Sequence, residues 1–268
     1  MSETPTTPTP NSKPLIFVLA LILIFIAAGV GYLVYGRPNS LRSLQGGVSI
    51  TNIEGLPEGT TVEIVDRVNA DLFDKTPRPS LSRTLPAGNV SADVYTILVQ
   101  KRKETVALIE SNLASMTQWI NLGILHKQVG DYEGARIYWN YVVTVNPENI
   151  AAHWNLATLY GNYLKDTAKA ESEFKKVIAL DTHYTAAYTE LSVMYQSIGN
   201  SDKALAILLG GLAHNPGNLD LLIAKAHLYR DMGKKVEAAG AYDAAIAQAK
   251  KENNTSLAAT LTAEKNAL

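Results

Sequence analysis

The chain has 268 residues, 47% of them hydrophobic, and its 24 Lys plus Arg stand against 25 Asp plus Glu for a formal net charge of −1. So even a balance supplies no basic face for a nucleic-acid duplex. Cysteine is absent, which excludes disulfides, thiolate metal sites and a cysteine nucleophile.

Residues 1–14 are rich in proline and threonine and read as a disordered tail. Residues 15–35 form an apolar run that no charge interrupts. About 20 such residues, helical because backbone groups in lipid must bond internally, cross a hydrocarbon layer roughly 30 Å thick. A transmembrane helix is therefore expected over residues 15–36, which makes the lipid bilayer a partner of the chain. Tyr32 and Tyr35 suit the interface, and Gly36 with Pro38 ends the helix. A cleaved signal peptide is the rival reading. Ala27, Ala28 and Gly29 make a poor cleavage site and the apolar run continues past them, which favours a retained single-pass anchor. Lys13 on one side and Arg37 and Arg42 on the other give a bias one residue wide towards a cytoplasmic C-terminal part. A short tail ahead of a first hydrophobic segment is also the form of a signal anchor. The preferred expectation is an extracytoplasmic domain, with a cytoplasmic one left open.

Residues 37–90 read as a stalk. Two β-rich runs flank the turn formers Glu54, Gly55, Pro57 and Gly59, and allow a short β-hairpin over residues 48–65. Pro77, Pro79 and Pro86 then predict an extended connector, either a spacer or a functional segment. Residues 91–115 read as a capping helix, begun by Asn89 or Ser91, with Val94, Ile97, Leu98 and Leu108 near one side. Its cluster Lys101, Arg102, Lys103 and Glu104 reads as a solvated face in preference to a contact with anionic lipid.

From residue 116 onward one pattern recurs. Trp119, Leu122 and Gly123 are followed by Gly130, Asp131, Ala135, Trp139 and Pro147. Leu156, Ala157 and Tyr160 are followed by Ala170, Phe174 and Val177. Tyr188, Leu191 and Tyr195 are followed by Gly199, Ala204, Leu208, Gly211 and Pro216. Leu222, Ala226 and Tyr229 are followed by Gly233, Ala238, Tyr242 and Ala245. Two antiparallel helices approach closely only where small residues meet, and Gly123 and Ala135 meet that need beside Trp139. One extra residue falls near Asp166 and Thr167 and is expected to lengthen a surface loop. Lys225 stands where leucine is expected, and a glycine pair at Gly210 and Gly211 weakens its helix.

A period near 34 residues with this punctuation resembles the tetratricopeptide (TPR) repeat family. The resemblance covers residues 116–252, about half the chain. It implies an all-α, right-handed α-solenoid of about four helix pairs, followed over residues 253–268 by a capping helix or tail. It also implies protein binding along a concave groove lined by the first helix of each pair. Projected onto that arrangement, the groove carries Ile120, Asn121, Ile124 and Lys127, then Trp154, Asn155, Thr158 and Asn162. Next come Thr189, Glu190, Val193 and Gln196, and last Ile223, His227, Arg230 and Asp231. Trp154 reads equally well as a groove contact or as packing between helices. The family's carboxylate clamp for acidic tails is not expected. Asn155 matches one of its places, but Ile120, Ile124, Ala186 and Glu190 occupy the others.

The five histidines show no metal-ligand spacing on a helix face, and no phosphate-cradling loop, nucleophile elbow or paired carboxylates stand out. No catalytic or metal residues, no cofactor, no nucleic acid and no small-molecule substrate are therefore expected, and the chain does not read as an enzyme. It reads as a membrane-anchored interaction scaffold or assembly factor that holds a segment of a partner protein. The alternative makes residues 48–65 the binding module and leaves the repeats to oligomerise or space it.

Overall fold

A computed structural model of the chain describes residues 47–51, 61–65, 69–88 and 90–268. The expected tail and transmembrane helix over residues 1–36 lie outside these. Among the described residues no helix is long and apolar enough to cross a membrane. Strands β1 (Gly47–Thr51) and β2 (Thr61–Val65) pair antiparallel, with Gly47 opposite Val65 and Thr51 opposite Thr61. The pairing is the hairpin allowed by the turn formers between the two runs.

Helix α1 (Ala70–Lys75) is a short piece, and α2 (Ala92–Ser111) is capped by Ser91. Four pairs follow. The first is α3 (Met116–Gln128) with α4 (Tyr132–Val145). The second is α5 (Ile150–Thr158), continued by a π-helical turn over Leu159–Tyr163, with α6 (Thr167–Leu180). The third is α7 (Thr185–Ser197) with α8 (Ser201–His214), and the fourth is α9 (Leu219–Asp231) with α10 (Lys235–Lys251). Helix α11 (Thr255–Asn266) packs on α10. Each helix packs on its pair partner, and each pair stacks on the next. The arrangement is an all-helical, TPR-like solenoid.

The turns repeat because their chemistry repeats. Gly130, Gly199 and Gly233 take the left-handed backbone, with φ of 81°, 75° and 70°, that ends a first helix. Asp131, Asp166 and Asn200 then accept a backbone N–H at the start of the second helix, and Asn149 and Asn218 do so at the start of a first helix. Each such cap is worth about 1 kcal/mol. The small-residue crossings also hold. A methyl group at Gly123 would overlap the Trp139 indole, whose Nε1 donates to the Ile120 carbonyl at 3.0 Å. A Cβ at Gly211 would press on Tyr188 and Leu221, whereas Gly210 has open space around it. Of that glycine pair, one member thus serves close packing.

Two expectations need correction. The extra residue of the second pair does not lengthen the loop. It is taken up inside the first helix as the π turn, where the Leu164 amide donates to the Leu159 carbonyl five residues back. Lys165 then occupies the left-handed place that glycine holds in the other three pairs, at φ 55°.

The second correction concerns residues 69–88, which do not form a free connector. The segment runs antiparallel along α4 for the whole length of that helix. The Asn69 amide donates to the Val145 carbonyl at one end, the Tyr138 hydroxyl donates to the Ser80 carbonyl at mid-length, and Arg83 reaches Asp131 at the other end. Phe73 is buried in the main core, and Leu85 is buried with Leu98, Leu125 and Val129. Arg102 of α2 holds the segment from its other side, donating to the carbonyls of Leu81 and Arg83 at 2.6 and 2.8 Å. After the short helix α1, Pro77, Pro79 and Pro86 keep the chain out of a helix, and side chains of its neighbours, Tyr138 and Arg102, bond its carbonyls at Ser80, Leu81 and Arg83.

Candidate functional site

The first helices α3, α5, α7 and α9 carry the face that the resemblance assigns to binding. On α3, Ile120 is 8% exposed and belongs to the core, so it is removed from the expected set. Asn121, Ile124 and Lys127 are half-buried. The Asn121 amide donates to Gln118 Oε1 at 3.4 Å. Lys127 Nζ lies 5.5 Å from the ring centre of Tyr163, in the π turn, and no carboxylate pairs with it among the described residues. Burial, with no opposing charge, moves its ammonium below the ordinary lysine range.

On α5, Trp154 is half-buried, edge-on to Phe174 at 5.7 Å and 5.1 Å from the Tyr184 ring. Its indole therefore packs between the second and third pairs. Asn155 and Thr158 are half-buried beside it, with the Thr158 hydroxyl donating to the Asn155 carbonyl, and Asn162 is exposed in the π turn. On α7, Thr189 and Gln196 are half-buried while Glu190 and Val193 are exposed, Val193 at 57%.

On α9 the structure divides the expected residues. Ile223 is half-buried and lines a cavity of about 330 Å³ between α7 and α9. Thr185, Ala186 and Thr189 face it from one side, and Asp220, Ala224 and His227 from the other. Arg230 and Asp231 turn to each other at 3.0 Å. His227 Nε2 meets Glu264 Oε2 of α11 at 2.8 Å, the Tyr242 hydroxyl donates to the same oxygen at 3.0 Å, and Arg230 Nη1 donates to the Tyr242 hydroxyl. Burial alone would raise the Glu264 carboxyl, and the bonds from His227 and Tyr242 hold it below the usual range instead. These contacts fasten α11 onto the last pair. Asp220 and Thr185 are absent from the residues projected from sequence. The signal for Asp220 was present, since it stands three residues before Ile223 and seven before His227, on one helical face.

The most developed polar cluster lies elsewhere, at the turn of the first pair. Asp131 accepts from Arg83 through both oxygens, at 2.7 and 2.6 Å, from the Gly134 amide at 3.0 Å, and from His126 Nδ1 at 2.7 Å. Burial would raise its carboxyl, but the bonds from Arg83, Gly134 and His126 outweigh this and hold it far below the carboxylate range. His126 is wholly buried against Tyr138, and burial keeps its ring below the ordinary imidazole value. The ring is thus neutral, with its proton on Nδ1 facing Asp131, and Nε2 finds no partner. The pair of Asp131 and His126 is a structural clamp that joins Arg83, the first helix and the second helix. Among the described residues no group of three His, Asp or Glu could hold a metal ion.

Three comparisons bear on this arrangement. No family model matches the chain. The chain is 30% identical over 94 residues to the human protein named tetratricopeptide repeat protein 28, a match that covers 35% of this chain and 4% of that protein. The likeness is to a TPR protein. Because it spans a small fraction of that relative's length, it is a likeness between segments. Among solved structures, the crystal structure of MamA is 20% identical, with a TM-score of 0.48 over 59% of this chain and 97% of that one. YrrB, described as a TPR protein with an unusual peptide-binding site, is 17% identical, with a TM-score of 0.44 over 54% of this chain and 74% of that one.

Proposed function

We propose that the chain is a membrane-anchored interaction scaffold, and that an extended segment of a partner protein lies across the first helices of its pairs. The observation that carries this reading is the cavity between α7 and α9. Glu190 and Val193 are exposed on α7, which lines the cavity, and Asn155 and Thr158 are half-buried on the preceding first helix α5. Amides and hydroxyls on these helices can bond a partner's backbone while Ile124 and Val193 meet its side chains. The apolar run at residues 15–35 supplies the anchor, and tethering raises the effective concentration of partners at one surface.

A photocrosslinking residue at position 193 tests the reading in intact cells, with position 236 as its control. Val236 is 84% exposed at the start of α10, away from the proposed face. Protein adducts specific to position 193 are expected. Identical adducts at both positions, or none at 193, would sink the reading.

A further inference from the structure

The proposed face carries uncompensated charge of opposite sign at its two ends. At one end, Lys127 is half-buried without a carboxylate partner, and the π turn brings the Tyr163 ring and exposed Asn162 beside it. At the other end, Asp220 lines the cavity between α7 and α9, and Glu190 lies one helical turn beyond Ala186 on the face that borders it. No ion pair is formed by either carboxylate among the described residues. The nearby basic side chains are bonded elsewhere, His227 to Glu264 and Arg230 to Asp231 and Tyr242. The walls of the cavity include Ala186, Ile223 and Ala224, which can cover an aliphatic stem while a carboxylate meets the charged head.

We infer that the face is charge-polarised. It takes an extended partner segment with a Lys or Arg side chain in the α7–α9 cavity and a carboxylate at Lys127. The inference deepens the reading above and rests on it. Physically, a partner carboxylate restores a counter-ion to a cation that burial has stripped of water, and a partner cation does the same for Asp220 and Glu190. Complementary charges at separated points fix the register and direction of an extended chain more than they add raw affinity. A segment with the same residues in reverse order would place like charges together at both ends.

Random-peptide display on the full chain in detergent tests the inference, with the selected peptides measured by fluorescence anisotropy. Selection on the unaltered chain is expected to enrich peptides with an acidic residue towards one end and a basic residue towards the other. Reversing the order of those charges is expected to weaken binding about tenfold at low salt. Lys127→Met is expected to erase the acidic preference alone, and Asp220→Asn with Glu190→Gln the basic preference alone. Val193→Arg, which obstructs the face, separates the two failures. Peptides that are blocked by Val193→Arg but show no charge order would overturn the polarity and leave the binding face standing. Peptides indifferent to Val193→Arg would overturn both.

Discussion

The two ends of the helical stack are closed by different chemistry. At the first pair the closing surface is aromatic and ionic. Trp119, Tyr138 and Trp139 are fully buried, and an irregular segment is fastened over α4 by Arg83 and Asp131. At the last pair the closing surface is mostly small residues. Ala241, Ala245, Ala249 and Ala258 let α10 and α11 approach closely, around the larger Tyr242, Ile246 and Leu261. The polar contact there, Glu264 with His227 and Tyr242, is about one-third exposed. A repeat stack must cover its terminal pairs, since each buries its apolar face only against a neighbour. The difference teaches that large rings with a partly buried ion cluster and largely alanine-mediated contact both accomplish this. The first should resist local opening more strongly. Hydrogen exchange that protects α11 better than α3 and α4 would break this contrast.

Substitutions grade it. Trp139→Ala should have the largest effect, a loss of about 4 kcal/mol in urea unfolding, because it empties the crossing with Gly123. Asp131→Ala should cost about 3 kcal/mol, since it removes a helix cap and leaves the buried His126 N–H unpaired. Arg83→Ala should cost only about 1 kcal/mol, because Arg83 is 40% exposed and its bonds to Asp131 are screened. Between the ends, Lys165→Gly should stabilise the second pair by about 1 kcal/mol by relieving a left-handed lysine. Glu264→Gln at the far end should have the smallest effect, less than about 1 kcal/mol in urea unfolding, with hydrogen exchange of α11 as the sensitive readout.

Acid should also separate the ends. His126 binds its proton less readily when folded than when unfolded, so its contribution is whole above about pH 6.5 and lost as pH falls below that value. Asp131 is shifted the same way, and its contribution is lost below about pH 4. His126→Asn, which can keep a donor near the Nδ1 position, should flatten the melting temperature between about pH 7 and 5. An unchanged slope in that variant would place the acid response elsewhere.

The regular parts of the fold were legible because their causes are local. The Gly130, Gly199 and Gly233 turns recur at a fixed spacing, the caps Asp131 and Asn200 follow two of them, and Gly123 stands close in sequence to the Trp139 it packs on. The docked segment was not legible, because its bonds are made at long range. Arg83 and Asp131 are 48 residues apart, and prolines around Arg83 leave no periodicity to read. The extra residue of the second pair was countable but could not be placed, since a longer loop and a π turn satisfy the same count. On the proposed face, projection onto the repeat arrangement picked out Glu190 and Val193, which are exposed, and Asn155 and Thr158, which are half-buried. It erred at Ile120, whose place on α3 is turned into the core beneath Trp139. It placed His227 and Arg230 on that face but could not show that Glu264 of α11 and Tyr242 of α10 hold them, since those partners lie 37 and 12 residues further along the chain.

The segment along α4 also sets where mechanical load would fall. Tension arriving through the chain ahead of Asn69 would meet the bond to Val145 and the seated ring of Phe73 first, then the Arg83 grip on Asp131. These attachments lie along one helix and would be loaded together, in shear. The force would therefore be spread over the first pair before any of it reached α2.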